Sequence, residues 1–197
     1  MADVTPDDVL LFWLGPPGSE PQLKRWFSRD DALDAEIRTR FGASIEAAAR
    51  GGLADWKSTP RGRLALVILC DQYSRNAFRG TPRAFAQDAL ALEVAKSAHE
   101  HGDDGVLGPI EASFLLMPYL HAEDRPTQQR ALDGFVALAA RATSPADAKY
   151  LAAGVSSAKQ HAAIVERFGR YPHRNAILGR ASTAEEEEFL KQPGSSF

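Results

Sequence analysis

The chain has 197 residues, 44% of them hydrophobic and 25% charged, with a formal net charge of -3; this is enough apolar material for one domain with a sizeable core. A pI near 6.0 excludes a general nucleic-acid binder, because phosphate neutralisation needs a basic face, while a local basic pocket stays open. The single cysteine, Cys70, excludes an intrachain disulfide; in the apolar run "LALVILC" it reads as a small buried hydrophobe in a reducing compartment.

The opening "MADVTPDDVLLFW" lacks the basic leader, long apolar region and cleavage site of a signal peptide. No apolar run approaches the ~20 residues that span a bilayer, so a cytoplasmic protein without a membrane partner is expected. Thr5-Pro6, Thr59-Pro60, Thr81-Pro82 and Ser144-Pro145 each put a capping hydroxyl before proline at the first helical position, which predicts four helix starts. From Asp31, the residues Leu33, Ile37, Phe41, Ile45 and Ala48 fall at helical spacing, closed by Arg50-Gly51-Gly52. Another helix follows Pro60 through "RLALVILCDQY"; the next runs from Pro82 with Phe85, Leu90, Leu92 and Val94 and stops near "HEHGDDG", where His99 and His101 read as a solvated end. "PIEASFLLMPYL" predicts a short buried helix bent or ended before Pro118, followed by two longer ones, "RPTQQRALDGFVALAAR" and "SPADAKYLAAGVSSAKQHAAIVERFG". Thr183 and Glu186 form a capping box that opens a last helix, whose Glu185 to Glu188 read as a solvated first turn needing no partner. Trp13, Trp26, Phe27 and Trp56 read as core anchors. With no period-two alternation and short loops, the expectation is a single all-α domain over residues 1–197, roughly eight or nine helices packed as antiparallel neighbours. A helix-pair solenoid fits, although no exact repeat of about 34 residues is visible.

Two distant stretches read alike: "DQYSRNAFRGT" from Asp71 and "GRYPHRNAILGRAST" from Gly169. The first places Asp71, Gln72, Arg75, Asn76 and Arg79 at the end of an apolar helix, where arginines complement the carbonyl dipoles, Asn76 can take a left-handed cap, and Asp71 and Arg75 can pair four apart. The second gathers Arg167, Arg170, His173, Arg174 and Arg180 among Phe168, Tyr171, Ile177 and Leu178, with Asn175 inside. Guanidinium groups among apolar anchors need anionic or carbonyl partners. Those partners are either internal carboxylates such as Asp71 and Glu123, giving a network that locks helix ends, or an anionic guest.

In "MPYLHAEDRPTQQ", His121 and Glu123 can supply a general base and its orienter. They can also serve as two metal ligands, but without "HExxH" or a cysteine cluster no metal site is assigned. His161 lies on the apolar face of its helix, as a core histidine or a pocket residue. No phosphate loop, dinucleotide fingerprint or nucleophile elbow is present, so no cofactor is expected.

These residues resemble a bacterial family named only as domain of unknown function 924. The resemblance covers nearly the whole chain: "FWLG", "WFSRDDALDAEI", "ADWKSTPRGRLALVILCDQYSRNAFRGT", "FLLMPYLHAED", "QHAAIVERFGRYPHRNAILGRAST" and "EEEEFL". It implies an all-α fold similar to tetratricopeptide-repeat right-handed superhelices of antiparallel helix pairs, and little about function. This chain has Tyr73-Ser74 where the family pattern has Phe-Pro, and Ala122 where it has Ser, which argues against a serine nucleophile at that place.

The functional expectation is a pocket binding a small anionic ligand or an acidic peptide terminus. Arg75, Arg79, Arg170 and Arg174 supply the cations, Gln72, Asn76 and Asn175 the neutral hydrogen bonds, and Asp71 and His161 complete the lining. The alternative is an enzyme using His121 or His173 as general base with Glu123 or Asp71 as orienter, in a hydrolytic or isomerase-type step. A third reading is a structural scaffold for a partner helix.

Overall fold

The structure, a computed structural model, describes residues 4–196; the first three residues of the stretch read as leaderless lie outside it. All its regular elements are helical: α1 (Pro6–Leu14), α2 (Leu23–Phe27), α3 (Asp31–Ala49), a 3₁₀ turn (Ala54–Ser58), α4 (Pro60–Val67), a π-helical turn (Ile68–Tyr73), α5 (Ser74–Ala77), a 3₁₀ turn (Pro82–Phe85), α6 (Asp88–Glu100), α7 (Asp103–Val106), α8 (Pro109–His121), α9 (Arg125–Ala139), α10 (Pro145–Phe168), a 3₁₀ turn (Pro172–Arg174) and α11 (Ala184–Leu190). Short segments such as α2, α5 and α7 take the total above the eight or nine expected. Among the described residues no helix is long and apolar enough to cross a membrane.

Three of the four expected hydroxyl-proline starts hold. Thr5, Thr59 and Ser144 accept from the amides of Asp8, Gly62 and Asp147 at 3.3, 3.1 and 3.1 Å. Thr81 differs: its hydroxyl donates to the Phe78 carbonyl at 2.7 Å. Without that cap only a 3₁₀ turn follows, and α6 starts six residues after Pro82, at Asp88.

Every side chain from Leu64 to Tyr73 is buried, so α4 and the π turn form a central rod with no polar stripe. The helices α1, α6 and α8 pack on α4, α3 packs on the π turn and α5, and α8, α9 and α10 pack consecutively. Trp13, Trp26, Phe41, Tyr73 and Phe114 form the aromatic centre. Trp56 is only half-buried and Phe27 exposed, so they are not full core anchors.

Helix α8 does not end before Pro118. Proline removes one helical hydrogen bond, the one to the carbonyl four residues back, yet the helix runs on to His121, and the carbonyls at its end are satisfied from outside. Gln128 Nε2 donates to Leu120 and Ala122 at 2.7 and 2.6 Å, the Tyr171 hydroxyl donates to Leu120, and Arg174 Nη1 donates to His121 at 3.0 Å. A second departure lies beside the solvated end carrying His99 and His101: Asp103 is buried and grips buried Arg63 through two bonds of 2.5 and 2.6 Å.

Gly62 explains the glycine of "STPRGR". A Cβ there would stand 2.1 Å from the Trp56 carbonyl oxygen and 3.0 Å from the capping Thr59 hydroxyl. Backbone has to shift to admit it, so Gly62→Ala is expected to lower unfolding free energy by about 1–3 kcal/mol. Urea denaturation measures this, and an unchanged midpoint would contradict the close approach.

Candidate functional site

The π turn brings the chemistry into the core. Widening the helix to an i→i+5 pattern inserts one residue and re-aims the side chains after it, a device frequent at functional sites. Here it delivers Asp71, fully buried, to the C-terminal end of α8. One carboxylate oxygen lies 2.6 Å from His121 Nδ1 and 3.0 Å from Arg75 Nη1; the other accepts from Gln72 Nε2 at 2.5 Å.

Burial alone would raise the Asp71 pKa, but the charges of Arg75 and His121 and the bonds from His121 and Gln72 hold it well below the usual carboxylate range. His121 is moved down by burial and by Arg75, against the pull of Asp71. A neutral imidazole facing a carboxylate through Nδ1 carries its proton there, which leaves the lone pair on Nε2.

Around this dyad lies a second layer. Arg75 donates to both oxygens of Asp88 at 2.8 and 3.0 Å, and Arg174 lies 3.6 Å from the same carboxylate. Asp88, His121, Glu123 and Arg174 line one cavity of about 340 Å³, with Phe85, Ala89, Leu92, Pro118, Ala122 and Leu178 as its remaining wall. Burial, then neighbouring Arg75, lowers the Arg174 pKa, partly offset by Asp88 and Glu123.

The other expected site residues separate from this group. Arg79 is tied to Asp34 of α3 by bonds of 2.6 and 3.0 Å. Arg170 is held by Glu186 at 2.6 and 2.7 Å and bonds the Ala181 carbonyl; Glu186 is therefore buried and paired, not solvated, and the Arg170 bonds bring its pKa to about 2. Glu123 is clamped by Arg180 and accepts from the Tyr171 amide at 2.9 Å, so Asp71 is the carboxylate that meets His121 Nδ1. Asn175 links Ser182, Arg180 and Glu186. Asn76 does not take a left-handed cap: no described non-glycine residue has positive φ, and Gly80 makes that turn at φ 76°.

His161 is buried, and its Nδ1 bonds the Ser157 carbonyl at 2.8 Å. His173 packs 5.6 Å from the Tyr171 ring. Burial lowers the His161 pKa to about 3, while burial and Arg174 lower that of His173 to about 4. Burial pushes the Cys70 thiol up to about 12, which removes it as a nucleophile. Among the described residues no cluster of three or more His, Cys, Asp or Glu could hold a metal ion.

Sequence reasoning missed Asp88 and Phe85 because Thr81-Pro82 suggested that both lay inside one helix. The signal available was Asp88 itself, an acidic residue suited to a helix first turn. A larger hollow of about 570 Å³ near α1 and α8 contains one guanidinium, Arg61, which is exposed and already shared between Asp7 and Glu111.

A family model described as bacterial protein of unknown function (DUF924) matches residues 9–194. The chain is also similar to a solved structure of a protein of unknown function, ATU0120 from Agrobacterium tumefaciens, with 36% identity over 94% of this chain and 96% of that one and a TM-score of 0.81. No curated protein matches it.

The lowered histidines set the acid response. An unfolded histidine takes up its proton near pH 6.5, whereas folded His161 and His173 resist it down to about 3 and about 4. Their contribution is complete above pH 6.5 and is lost progressively as pH falls toward the folded values. Asp71, Glu123 and Glu186 titrate below their usual range, so between pH 6.5 and about 4.5 the histidines dominate. Urea midpoints should fall across that window and more shallowly in His161→Asn. A flat wild-type profile would contradict the burial of these rings.

Proposed function

We propose that this protein, which belongs to the bacterial family of unknown function DUF924, is an acid–base enzyme acting on a small anionic substrate bound beside Arg174, with His121 as general base. The observation that carries this reading is the 2.6 Å contact between buried Asp71 and His121 Nδ1, with His121 in the wall of an open cavity that also presents Arg174. An imidazole held in one tautomer by a carboxylate, and kept neutral at pH 7, is a base ready to accept a proton at Nε2. In a hydrolytic step it takes the proton of an attacking water and returns it to the leaving group; in an isomerase-type step it moves a proton between carbons. Asp71 orients the ring and stabilises the imidazolium, and Arg174 faces developing negative charge.

Turnover without a serine nucleophile suits Ala122 beside His121. If catalysis is absent, the same lining describes a binding module for small anions, with Arg174 as its anchor. The consecutive packing of α8, α9 and α10 supports a superhelix of tetratricopeptide type as the scaffold. A cytoplasmic setting belongs to the proposal, supported by the free, buried Cys70.

The test is a turnover screen of esters, amides and lactones carrying an acidic group, followed by kinetics of the active compound. His121→Ala should lower kcat by about 10²–10⁴ with KM little changed, and Asp71→Asn should move the pH profile as well as the rate. Because the His121 pKa is depressed, kcat/KM should stay level from pH 8 to 7 and fall only below the ordinary imidazole range. Full activity in His121→Ala would end the enzyme reading.

A further inference from the structure

A guanidinium has five N–H donors in a planar fork, and a buried one needs partners for them. Arg75, Arg79, Arg170 and Arg180 each close two bonds on a carboxylate. Arg174 does not. It is 6% exposed, its Nη1 donates to the His121 carbonyl, and its closest carboxylate contact, to Asp88, is 3.6 Å, beyond hydrogen-bond distance. Its Cζ lies 4.9 Å from the Phe85 ring centroid and 4.5 Å from that of Tyr171, so aromatic surface covers it in place of water. Its Nε is buried with no hydrogen-bond partner. Nε and Nη2 form the edge that matches two oxygens of one planar anion.

The remaining wall selects the anion. Asp88 and Glu123 line the same cavity, each already gripped by an arginine; a dianion would set its second charge against them. Phe85, Ala89, Leu92, Pro118 and Leu178 supply apolar surface, and the volume of about 340 Å³ is at the low end for small-molecule sites. We infer that the guest is a monocarboxylate with a compact apolar body, its carboxylate held by the Arg174 guanidinium. The inference rests on the site reading above and names its substrate class.

The probes are 3-phenylpropionate, its neutral isostere 3-phenylpropionamide, and phenyl phosphate, each titrated into the full chain at pH 7.5. The readout is the Nε–Hε NMR signal of Arg174, assigned by its loss in Arg174→Lys. The acid should shift that signal saturably, while the amide and the phosphate bind at least about tenfold more weakly, one charge-assisted contact's worth. Arg174→Lys, checked for folding by circular dichroism, should lose about tenfold in affinity for the acid. Equal binding of acid and amide, tighter binding of phenyl phosphate, or an unmoved Nε–Hε signal would overturn the inference; the comparison among ligands holds even if the variant misfolds. Carboxylate binding without turnover in the wild type ends the enzyme reading alone, and turnover of phosphorylated compounds without carboxylate binding ends this inference alone.

Discussion

A carboxylate with no access to water has to be held by charge and hydrogen bonds, and Asp71 is that carboxylate. It sits in the central rod, fully buried, and is gripped by Arg75, His121 and Gln72. Removing one partner of such an ion leaves uncompensated charge in the core, typically at a cost of about 3–5 kcal/mol. Three consequences follow from this one ion. It fixes the end of α8 against the π turn, sets the tautomer of His121, and turns Arg75 toward Asp88 at the start of α6. Structure and chemistry therefore share the same atoms.

The segment after α10 is held on different terms. Its apolar support is a small cluster of Ile164, Val165 and Tyr171 with Phe168 and Phe189, separate from the main core. Polar contacts do the rest: the ion pairs of Arg170 with Glu186, Arg180 with Glu123 and Arg167 with Glu185, and the hydrogen bonds from Tyr171 to Leu120 and from Arg174 to His121. Yet this segment supplies Arg174 and Leu178 to the cavity wall. One side of the site thus stands on the rigid rod, and the other on a polar staple with few buried apolar contacts. A wall of that kind has the lower free energy of local opening.

Helices and core were legible because their signals are local. The hydroxyl-proline starts at Thr5, Thr59 and Ser144, the spacing from Leu33 to Ala48 and the capping box at Thr183 each depend on residues within one or a few turns. Where a start failed, at Thr81, the hydroxyl donates back to the Phe78 carbonyl and accepts from no amide of the following turn. The cations of the site were also legible, since arginines among aromatic residues demand partners. Which partner each would take was not: Asp34, Asp88 and Glu186 meet their arginines only through the fold, and no spacing rule separates Arg79, which is neutralised, from Arg174, which is not. The π turn was invisible for another reason. A segment buried on all sides has no amphipathic period to break, so an inserted residue leaves no trace in "LALVILCDQY".

The two Arg-Asn stretches show why likeness in sequence and likeness in role differ. Arg75 and Arg174, far apart in sequence, do converge toward the single carboxylate of Asp88 and the ring of Phe85. Their neighbours do not behave alike: Asn175 links Ser182, Arg180 and Glu186, whereas Asn76 lies in α5 and leaves the turn to Gly80. Asp88 accepts two hydrogen bonds of good length from Arg75, which also contacts Asp71, whereas Arg174 stays at 3.6 Å. Two cations drawn to one carboxylate leave one of them under-neutralised. Arg174 is the one left, and it is the one that faces the cavity.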